Sequence, residues 1–500
     1  MNHAKLVVAL LVLLPFVSPC LAGARGQAVE KPNIVYILAD DLGYGDVQCL
    51  NPSRGKIKTP ELDKLAAQGM IFTDAHGGSS VCTPTRYGLL TGRYAWRTHL
   101  QSGVLDGTDD PPLIAAGRLT VPAFLKQQGY TTAAIGKWHL GFTSTLPEGV
   151  TASAQKKAGL PVGARILDGP TTRGFDYFWG CSNARTMSGL IENDKVIENI
   201  QPPTMLPRLG QQAVRYVNEH AGAAKAGKPF FLYVPLTSPH TPIVPTKEWK
   251  GKSGLGDYGD FVMQTDAVVG DILAALEKNG LAKNTLVVFT SDNGCSPAAG
   301  TEKLEAQGHF ASAQYRGYKA DIWDGGHRVP FLVRWPGKVK PGSHSAQLIC
   351  HTDLMATCAE LLGVTLPETA AEDSISWLPV LRGSGKGAPR ESIVHHSIHG
   401  KFAIRQGNWK LALCSGSGGW GKLGDPEATK SGLPAVQLYD LGNDIAETKN
   451  LAAERPEVVE RLTKLLERMV AEGRSTPGTK QVNDVSIMFQ KSKAGKKAKK

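Results

Sequence analysis

The 500-residue chain lacks the patterns that mark several classes of protein. Its 56 glycines follow no three-residue period, which excludes collagen. It contains no CxxC pair, so neither a zinc knuckle nor a thioredoxin-type site is expected. Beyond the N-terminus, no apolar run approaches the roughly 18 residues of a membrane-spanning helix. The 41% hydrophobic and 20% charged residues indicate a globular protein.

Acidic residues are missing from the last ten positions, which hold six lysines. Without these lysines the net charge of +11 falls to +5 for residues 1–490. The charge is therefore concentrated at one end of the chain and does not predict a nucleic-acid partner. It marks residues 476–500 as a Lys-rich tail, which we expect to be disordered.

The N-terminus has the pattern of a secretory signal peptide over residues 1–22. A short basic segment precedes a 12-residue apolar run, and small residues follow it. An uncleaved anchor and a lipid attached to Cys20 are the alternatives. The run is short for an anchor, and Pro19 disfavours lipid attachment. We expect an exported chain, periplasmic or secreted, with no transmembrane segment after cleavage.

Cysteines are few, with eight in the chain and seven beyond Cys20. An odd number in an oxidising compartment implies that at least one thiol has a fate other than pairing. The sequence does not indicate which of the others form disulfides.

Four apolar segments without alternation predict strands that are buried on both faces. Helical patterns separate them, so we expect an α/β domain over residues 30–385, with a large, mostly parallel sheet sandwiched by helices. Each segment ends in polar residues, and in such sheets ligands bind at the carboxyl ends of the strands. The four polar clusters are therefore predicted to converge on one site. The strands are predicted at 33–39, 131–135, 229–236 and 285–290.

Residues 386–475 have a different pattern, with short strand candidates divided by Gly, Asn and Asp turns. An amphipathic helix follows at 456–471. We expect a small C-terminal antiparallel sheet with a packing helix. The Gly- and Ser-rich segment 415–433 is expected to be a loop.

Oxygen-bearing side chains follow two of the predicted strands. Asp40 and Asp41 come after the first strand, and Asp292 and Asn293 come after the fourth. Adjacent carboxylates repel each other, and a bound cation removes that cost. Four such side chains without a coordinating His suit Ca²⁺ or Mg²⁺. The alternative is a capping pair at a solvated turn.

The segment 82–86, with the sequence CTPTR, predicts a reactive cysteine. Pro84 favours the first turn of a helix, which places Cys82 at a helix N-terminus. The partial positive charge there lowers the pKa of a thiol. Arg86, one turn later, faces the same side and can bind an oxyanion. An ordinary buried cysteine is the alternative.

Four basic residues stand near the other predicted strand ends or in Gly-rich turns: Lys137, His139, His240 and Lys319. Each alone is typical of a surface lysine or of a histidine with satisfied hydrogen bonds. Together they would form a cationic ring around a metal-bound nucleophile. Such a ring would bind a tetrahedral anion and stabilise charge during its transfer.

In these motifs the chain resembles the formylglycine-dependent sulfatases, the arylsulfatase A-like branch of the alkaline phosphatase superfamily. The matching stretches occur in consistent order over roughly residues 30–455. They are 32–45, 82–92, 136–141, 238–242, 290–294, 316–330 and 438–451.

The resemblance implies an alkaline phosphatase-like fold and a sulfuric ester hydrolase acting on a sulfated carbohydrate or an aryl sulfate. Cys82 looks like the residue that a separate maturation enzyme oxidises to formylglycine, whose hydrated aldehyde is the nucleophile. Together with this residue, Asp40, Asp41, Asp292 and Asn293 look like the ligands of one Ca²⁺ ion.

The resemblance also implies roles for the basic residues. Arg86 would hold the modified side chain, and Lys137, His240 and Lys319 would bind the sulfate. His139 would hydrogen-bond the second hydroxyl of the hydrated aldehyde and take its proton. His240 or Lys319 would protonate the leaving alcohol.

One position departs from the family pattern. Relatives often carry a serine after a Gly-Phe-Asp-Tyr stretch, which here is residues 174–177. Counting along the chain puts Ala184 at the serine position, and Ser182 or Asn183 are the alternatives.

Two other functions fit parts of the pattern. A phosphodiesterase or phosphonate monoester hydrolase of the same superfamily would need two metal ions and further ligands. A non-catalytic protein that binds sulfated glycans would not need Cys82 or the acid and base residues. The sequence does not specify which sulfated substrate is used.

Overall fold

The fold is that of a computed structural model, which describes residues 1, 31–105, 110–149, 160–384 and 389–489. The predicted signal peptide beyond Met1, including Cys20, lies outside the described residues. So do residues 490–500 of the Lys-rich tail.

The described residues form strands in two groups. Those of the N-terminal part are β1 (Asn33–Asp40), β2 (Met70–Phe72), β3 (Ala75–His76), β4 (Thr131–Lys137), β5 (Ser144–Thr145), β6 (Arg165–Ile166), β7 (Tyr177–Cys181), β8 (Gly189–Glu192), β9 (Lys195–Asn199), β10 (Phe230–Pro239), β11 (Thr285–Ser291), β12 (Phe331–Arg334), β13 (Ser343–Ser345) and β14 (Ile349–Cys350). Those of the C-terminal part are β15 (Ser392–His396), β16 (Phe402–Gln406), β17 (Trp409–Ala412) and β18 (Gln437–Asp440).

The α-helices lie between these strands and after them. They are α1 (Pro60–Ala67), α2 (Cys82–Thr91), α3 (Val121–Gln127), α4 (Met205–Lys225), α5 (Asp257–Lys278), α6 (Thr301–Ala306), α7 (Asp324–His327), α8 (Leu354–Leu362), α9 (Leu378–Leu381), α10 (Asp425–Lys430) and α11 (Pro456–Glu472). No helix among the described residues has both the length and the apolar character needed to cross a membrane.

The strands of the N-terminal part build a mixed sheet of 12 strands in the order β13-β2-β12-β11-β1-β10-β4-β7-β8-β9-β6-β5. Its five central strands, from β11 to β7, run parallel to one another. Antiparallel strands join on both sides, at β12 and at β8. The four strands predicted from the sequence are β1, β4, β10 and β11, which are neighbours at the centre.

Helices cover both faces of the large sheet, as β1 illustrates. Ile34, Tyr36 and Leu38 belong to one apolar core, with residues of α2, α3 and α8. Val35 and Ile37, which point the other way, belong to a second core with residues of α1, α4 and α5. A strand that is apolar at every position therefore serves two cores at once.

The C-terminal part is the expected antiparallel sheet, in the order β15-β16-β17-β18, with α11 packed on it. Its other face contacts the N-terminal part, because Ile322 and Trp323 pack with Ala403 and Tyr439. The segment 415–433, expected to be a loop, contains the short helix α10.

The expected disorder of the tail is wrong for residues 476–489. Asp484 forms an ion pair of 3.0 Å with Arg93, and its backbone N–H donates to the carbonyl of Arg97. Phe489 packs against the C-terminal core. These contacts depend on distant partners, which the composition of the tail does not reveal.

All seven cysteines of the described residues are unpaired thiols, and six of them are buried. The described part of the chain is thus held together by packing, hydrogen bonds and ion pairs.

Candidate active site

The oxygen-bearing side chains meet because β1 and β11 are adjacent and parallel, so that both end at the same edge of the sheet. The backbone N–H of Asp41 donates to Asp292 Oδ1 at 3.2 Å. The side-chain amide of Asn293 donates to Asp41 Oδ1 at 2.8 Å. Asp41 has a φ of 64°, in the left-handed region that few non-glycine residues adopt. All of these side chains are buried.

Each carboxylate of this cluster is matched by a cation. Arg86 donates from Nε and Nη2 to Asp292 Oδ2, at 3.0 and 2.7 Å. Lys137 Nζ lies 2.7 Å from Asp40 Oδ2. The third pair joins Lys319 Nζ and an oxygen of Asp41, at 2.6 Å. Residues from five separate parts of the chain therefore neutralise one another in a buried site.

Cys82 is the first residue of α2, as the sequence predicts, and is 2% exposed. Lys319 Nζ donates to its sulfur at 3.4 Å. Burial would raise the pKa of the Cys82 thiol, but the charges of Lys137 and Lys319 outweigh burial and hold that pKa well below its usual range. A thiolate is thus stabilised at this position.

Two histidines border the cluster. His240 Nε2 lies 3.6 Å from Asp41 Oδ2, and its Nδ1 donates to the carbonyl of Thr241 at 2.5 Å. Burial would lower the pKa of His240, but the carboxylates of Asp41 and Asp40 raise it overall. His139 Nε2 lies 2.7 Å from the carbonyl of Leu105, which leaves Nδ1 without a hydrogen-bond partner among the described residues.

Asn183 is one of the three candidates for the position that departs from the family pattern. Its side-chain amide lies 3.2 Å from His139 Nε2. Ser182 instead bonds Thr186, and Ala184 offers only a methyl group. Of the three candidates, Asn183 is the one whose polar atoms reach the site.

The cluster fits a hard cation. Asp40 Oδ1 and Asn293 Oδ1 are buried and accept no hydrogen bond from the described residues, so both can bind an ion at no cost in broken bonds. Ligand atoms of Asp40, Asp41, Cys82 and His240 lie within 4.8 Å of one another. Carboxylate and amide oxygens are the donors that Ca²⁺ and Mg²⁺ prefer.

A cavity of about 720 Å³ opens above the cluster. Cys82, His139, His240 and Lys319 lie in its wall, but Lys137 does not. Lys137 is fully buried and contacts Asp40 instead. Two further lining residues, Arg185 and Trp420, lie outside the stretches that resemble the family. A tryptophan can stack on a sugar or belong to the core, and the sequence alone leaves both open for Trp420.

The alternation of β-strands and helices, the buried acidic cluster and the cysteine at a helix N-terminus define a hydrolase with the alkaline phosphatase-like fold. The family model described as "Sulfatase" matches residues 32–364, and that of "N-sulphoglucosamine sulphohydrolase, C-terminal" matches residues 318–414. The chain belongs to the sulfatase family.

Similar proteins agree with this result. The N-acetylgalactosamine-6-O-sulfatase of Bacteroides thetaiotaomicron is 34% identical, over 93% of this chain and 99% of that protein. Human arylsulfatase A is 35% identical, over 89% of each. A solved structure, described under glycosaminoglycan metabolism by Bacteroides thetaiotaomicron, is 32% identical with a TM-score of 0.77. It matches 88% of this chain and 99% of its own. The chain is therefore a sulfatase, which hydrolyses sulfate esters.

Proposed function

We propose that this sulfatase uses a formylglycine made from Cys82, together with one Ca²⁺ ion, to release sulfate from a sulfated saccharide. The observation that carries the proposal is the position of Cys82, at the N-terminus of α2 and in the wall of the cavity, beside the amine of Lys319. A cysteine that only packs in the core requires neither a neighbouring amine nor access to a cavity.

The proposed chemistry needs two hydroxyls on one carbon. In the hydrated aldehyde, one hydroxyl attacks sulfur as the substrate alcohol leaves, and the second then loses its proton, expels sulfate and restores the aldehyde. A serine at this position would stall as a sulfate ester, because it has no second hydroxyl.

The basic residues supply binding and proton transfer in this proposal. Lys319 and His240 face the cavity and bind the sulfate oxygens, and one of them protonates the leaving alcohol. His139, whose Nδ1 is unpartnered among the described residues, takes the proton of the second hydroxyl. Lys137 and Arg86 act through the carboxylates Asp40 and Asp292, which they hold in place.

The proposed Ca²⁺ ligands are Asp40, Asp41, Asp292 and Asn293, with the modified Cys82. Asp40 Oδ1 and Asn293 Oδ1, which accept no hydrogen bond from the described residues, support this set. When bound, the ion would supply positive charge against the oxygens of the nucleophile and of the sulfate. Arg86 and Lys137 keep two of these carboxylates oriented in either case.

The substrate class rests on the relatives and on the cavity. One relative is named for N-acetylgalactosamine 6-sulfate, and the matched solved structure is described under glycosaminoglycan metabolism. The cavity wall combines Arg185, Asn183 and the half-exposed indole of Trp420, which suits a sugar. We propose export through the signal peptide and a sulfatase-maturating enzyme as the partner.

Mass spectrometry of the Cys82 peptide tests the formylglycine. After co-expression with a maturation enzyme, we expect the loss of sulfur as the thiol becomes an aldehyde, and activity on N-acetylgalactosamine 6-sulfate in proportion to the modified fraction. Cys82→Ala should abolish sulfate release while the chain stays folded. Cys49→Ala, which removes a thiol outside the site, should retain it.

Two outcomes contradict the proposal. One is an unmodified thiol at position 82 in a fully active preparation. The other is a preference for phosphodiesters or phosphonate monoesters over sulfate esters in the same assay, which would favour the alternative activity in this superfamily.

A further inference from the structure

A second cavity, of about 870 Å³, adjoins the cavity that holds Cys82. The two share one lining side chain, Trp420, whose surface is 46% exposed. Both volumes fall in the range of roughly 300–1,000 Å³ that is typical of small-molecule sites. The indole therefore forms a wall between the sulfatase cavity and a neighbouring space of similar size.

The segment that carries Trp420 is held firmly to the catalytic part. The backbone N–H of Gly421 donates to Asp321 Oδ1 at 2.7 Å, and that of Ile322 donates to the carbonyl of Ser417 at 2.7 Å. Any side chain on Gly419 would collide with the carbonyl oxygen of Ala320. These contacts fix the segment to residues 320–322, directly after Lys319, so that Trp420 has a defined position relative to the sulfate-binding amine.

The second cavity has the composition of a carbohydrate site. The aromatic residues of its wall are Trp420, Phe310, Tyr315, Tyr318 and Trp323. Arginines already cover a face of Phe310, Tyr315 and Trp323. The exposed indole of Trp420 is the ring best placed to cover the apolar face of a sugar, at a low cost in conformational entropy.

Two cations of this wall, Arg54 and Arg316, form no ion pair with the described residues. Arg316 donates to the carbonyl of Glu447 at 2.7 Å, so Arg54 is the one that stays available. The guanidinium of Arg54 lies 3.6 Å above the ring of Phe310 and forms no ion pair with the described residues. Its backbone carbonyl accepts a hydrogen bond from the N–H of Phe310, which holds the residue in place.

The three acids of the wall bond groups other than Arg54. Glu302 pairs with Lys422, Glu305 accepts from Tyr318, and Asp321 accepts from the backbone N–H groups of Tyr318 and Gly421. Arg54 is thus available to bind an anion.

We propose that the second cavity binds the saccharide unit next to the sulfated one. The indole of Trp420 contacts both units, and Arg54 pairs with a carboxylate or a sulfate of the second unit. The enzyme is then built for sulfated oligosaccharides rather than for free monosaccharides. This inference rests on the proposed function, because it takes a sulfated saccharide as the substrate.

Matched substrates test the second site. The first probe is the monosaccharide 6-sulfated N-acetylgalactosamine. The other two are a disaccharide and a tetrasaccharide, each with this sugar as the terminal unit and a carboxylated sugar as the second unit. For the wild-type enzyme, we expect kcat/KM on the oligosaccharides to exceed that on the monosaccharide by about tenfold or more, equivalent to 1.4 kcal/mol.

Two variants separate the contributions of the wall. Arg54→Gln should remove most of this preference, by lowering kcat/KM on the disaccharide more than on the monosaccharide. Trp420→Ala should lower kcat/KM on all three probes, most on the oligosaccharides. Trp249→Ala is the matched control, because it also removes an indole, but from a different cavity, and it should leave the preference intact.

The outcomes distinguish the two proposals. A wild-type enzyme that releases no sulfate from any probe contradicts the proposed substrate class. An enzyme that releases sulfate equally well from all three probes, or whose preference survives in both Arg54→Gln and Trp420→Ala, overturns the second site alone. Circular dichroism spectra of the variants show that folding is not the cause.

Discussion

Lys137 and Asp40 form an ion pair in which both side chains are fully buried. The desolvation of two charges is offset only while both are present. Arg86 lies 3.4 Å from the other oxygen of Asp40, but donates its hydrogen bonds to Asp292 and to the carbonyl of Lys137. Lys137 is therefore the principal counter-charge of Asp40 among the described residues. The sulfate contact that the family resemblance implies for Lys137 stays a prediction.

We expect Lys137→Ala to lower the free energy of unfolding by about 3–5 kcal/mol in Ca²⁺-free buffer, because it leaves a buried carboxylate without its partner. The matched control is Lys126→Ala, since Lys126 pairs with Asp176 where the two side chains are 53% and 38% exposed. That change should cost less than about 1 kcal/mol. Urea denaturation followed by fluorescence measures both, and equal losses would contradict the assignment.

The sequence predicted site residues where a reactive or charged side chain stands beside a recognisable element, such as the end of a strand or the start of a helix. Asp40, Asp41, Asp292 and Asn293 follow apolar segments, and Cys82 precedes a proline. Asn183 and Trp420 follow none of the predicted strands. The sequence offers Asn183 only as one of three candidates for a family position, and it leaves Trp420 in a Gly-rich loop. Their positions depend on how β7 and the C-terminal part fold back on the site.

At the scale of elements, α11 shows how far periodicity reaches. Its apolar residues recur at helical spacing, and the predicted helix 456–471 differs from the observed one by a single residue. The face that carries Leu462 and Leu466 is completely buried against the C-terminal sheet. The helix thus exists because one of its faces completes an apolar core.

Leu462→Ala should lower the free energy of unfolding by about 2–5 kcal/mol, because it leaves a cavity in a packed core. Lys464→Ala, on the exposed face of the same helix and paired only with Glu460, should change it by less than about 0.5 kcal/mol. The midpoints of urea denaturation at constant slope measure the difference. A mild effect of Leu462→Ala would mean that α11 is docked by other contacts.

The seam between the two sheets was not predictable. Arg405 of β16 pairs with Asp74 at 2.7 Å, and Lys410 of β17 pairs with Asp324 at 2.7 Å. In the sequence these residues lie more than 80 positions apart, with ordinary charged neighbours. Only the topology brings each pair together, so the sequence predicts two parts without predicting what joins them.

At the scale of the whole molecule, the acidic cluster links strand ends that lie about 250 residues apart in the chain. An ion bound there contacts only the folded state, because an unfolded chain does not bring these oxygens together. Binding to the folded state alone raises stability in proportion to the logarithm of the ion concentration.

Addition of Ca²⁺ to a chelator-treated sample should therefore raise the melting temperature. At a hundredfold excess over Kd the gain is about 2.7 kcal/mol. Asn293→Ala removes one of the oxygens that accept no hydrogen bond and should reduce the Ca²⁺-dependent shift. Asn279→Ala, directly after the C-terminal end of α5, should not. Differential scanning calorimetry with Ca²⁺ and Mg²⁺ makes the measurement. A shift that Asn293→Ala leaves unaltered would place the ion elsewhere.

The burial of Cys82 also limits the stage of folding at which another protein can reach its thiol. Cys82 has only 2% of its surface exposed, and residues as late in the chain as Lys319 and Trp420 line the cavity around it. In the folded enzyme, small molecules can therefore reach this thiol but another protein cannot. If Cys82 is modified as proposed, the maturation enzyme has to reach it before the chain folds. A copy that folds with an unmodified Cys82 would then stay inactive.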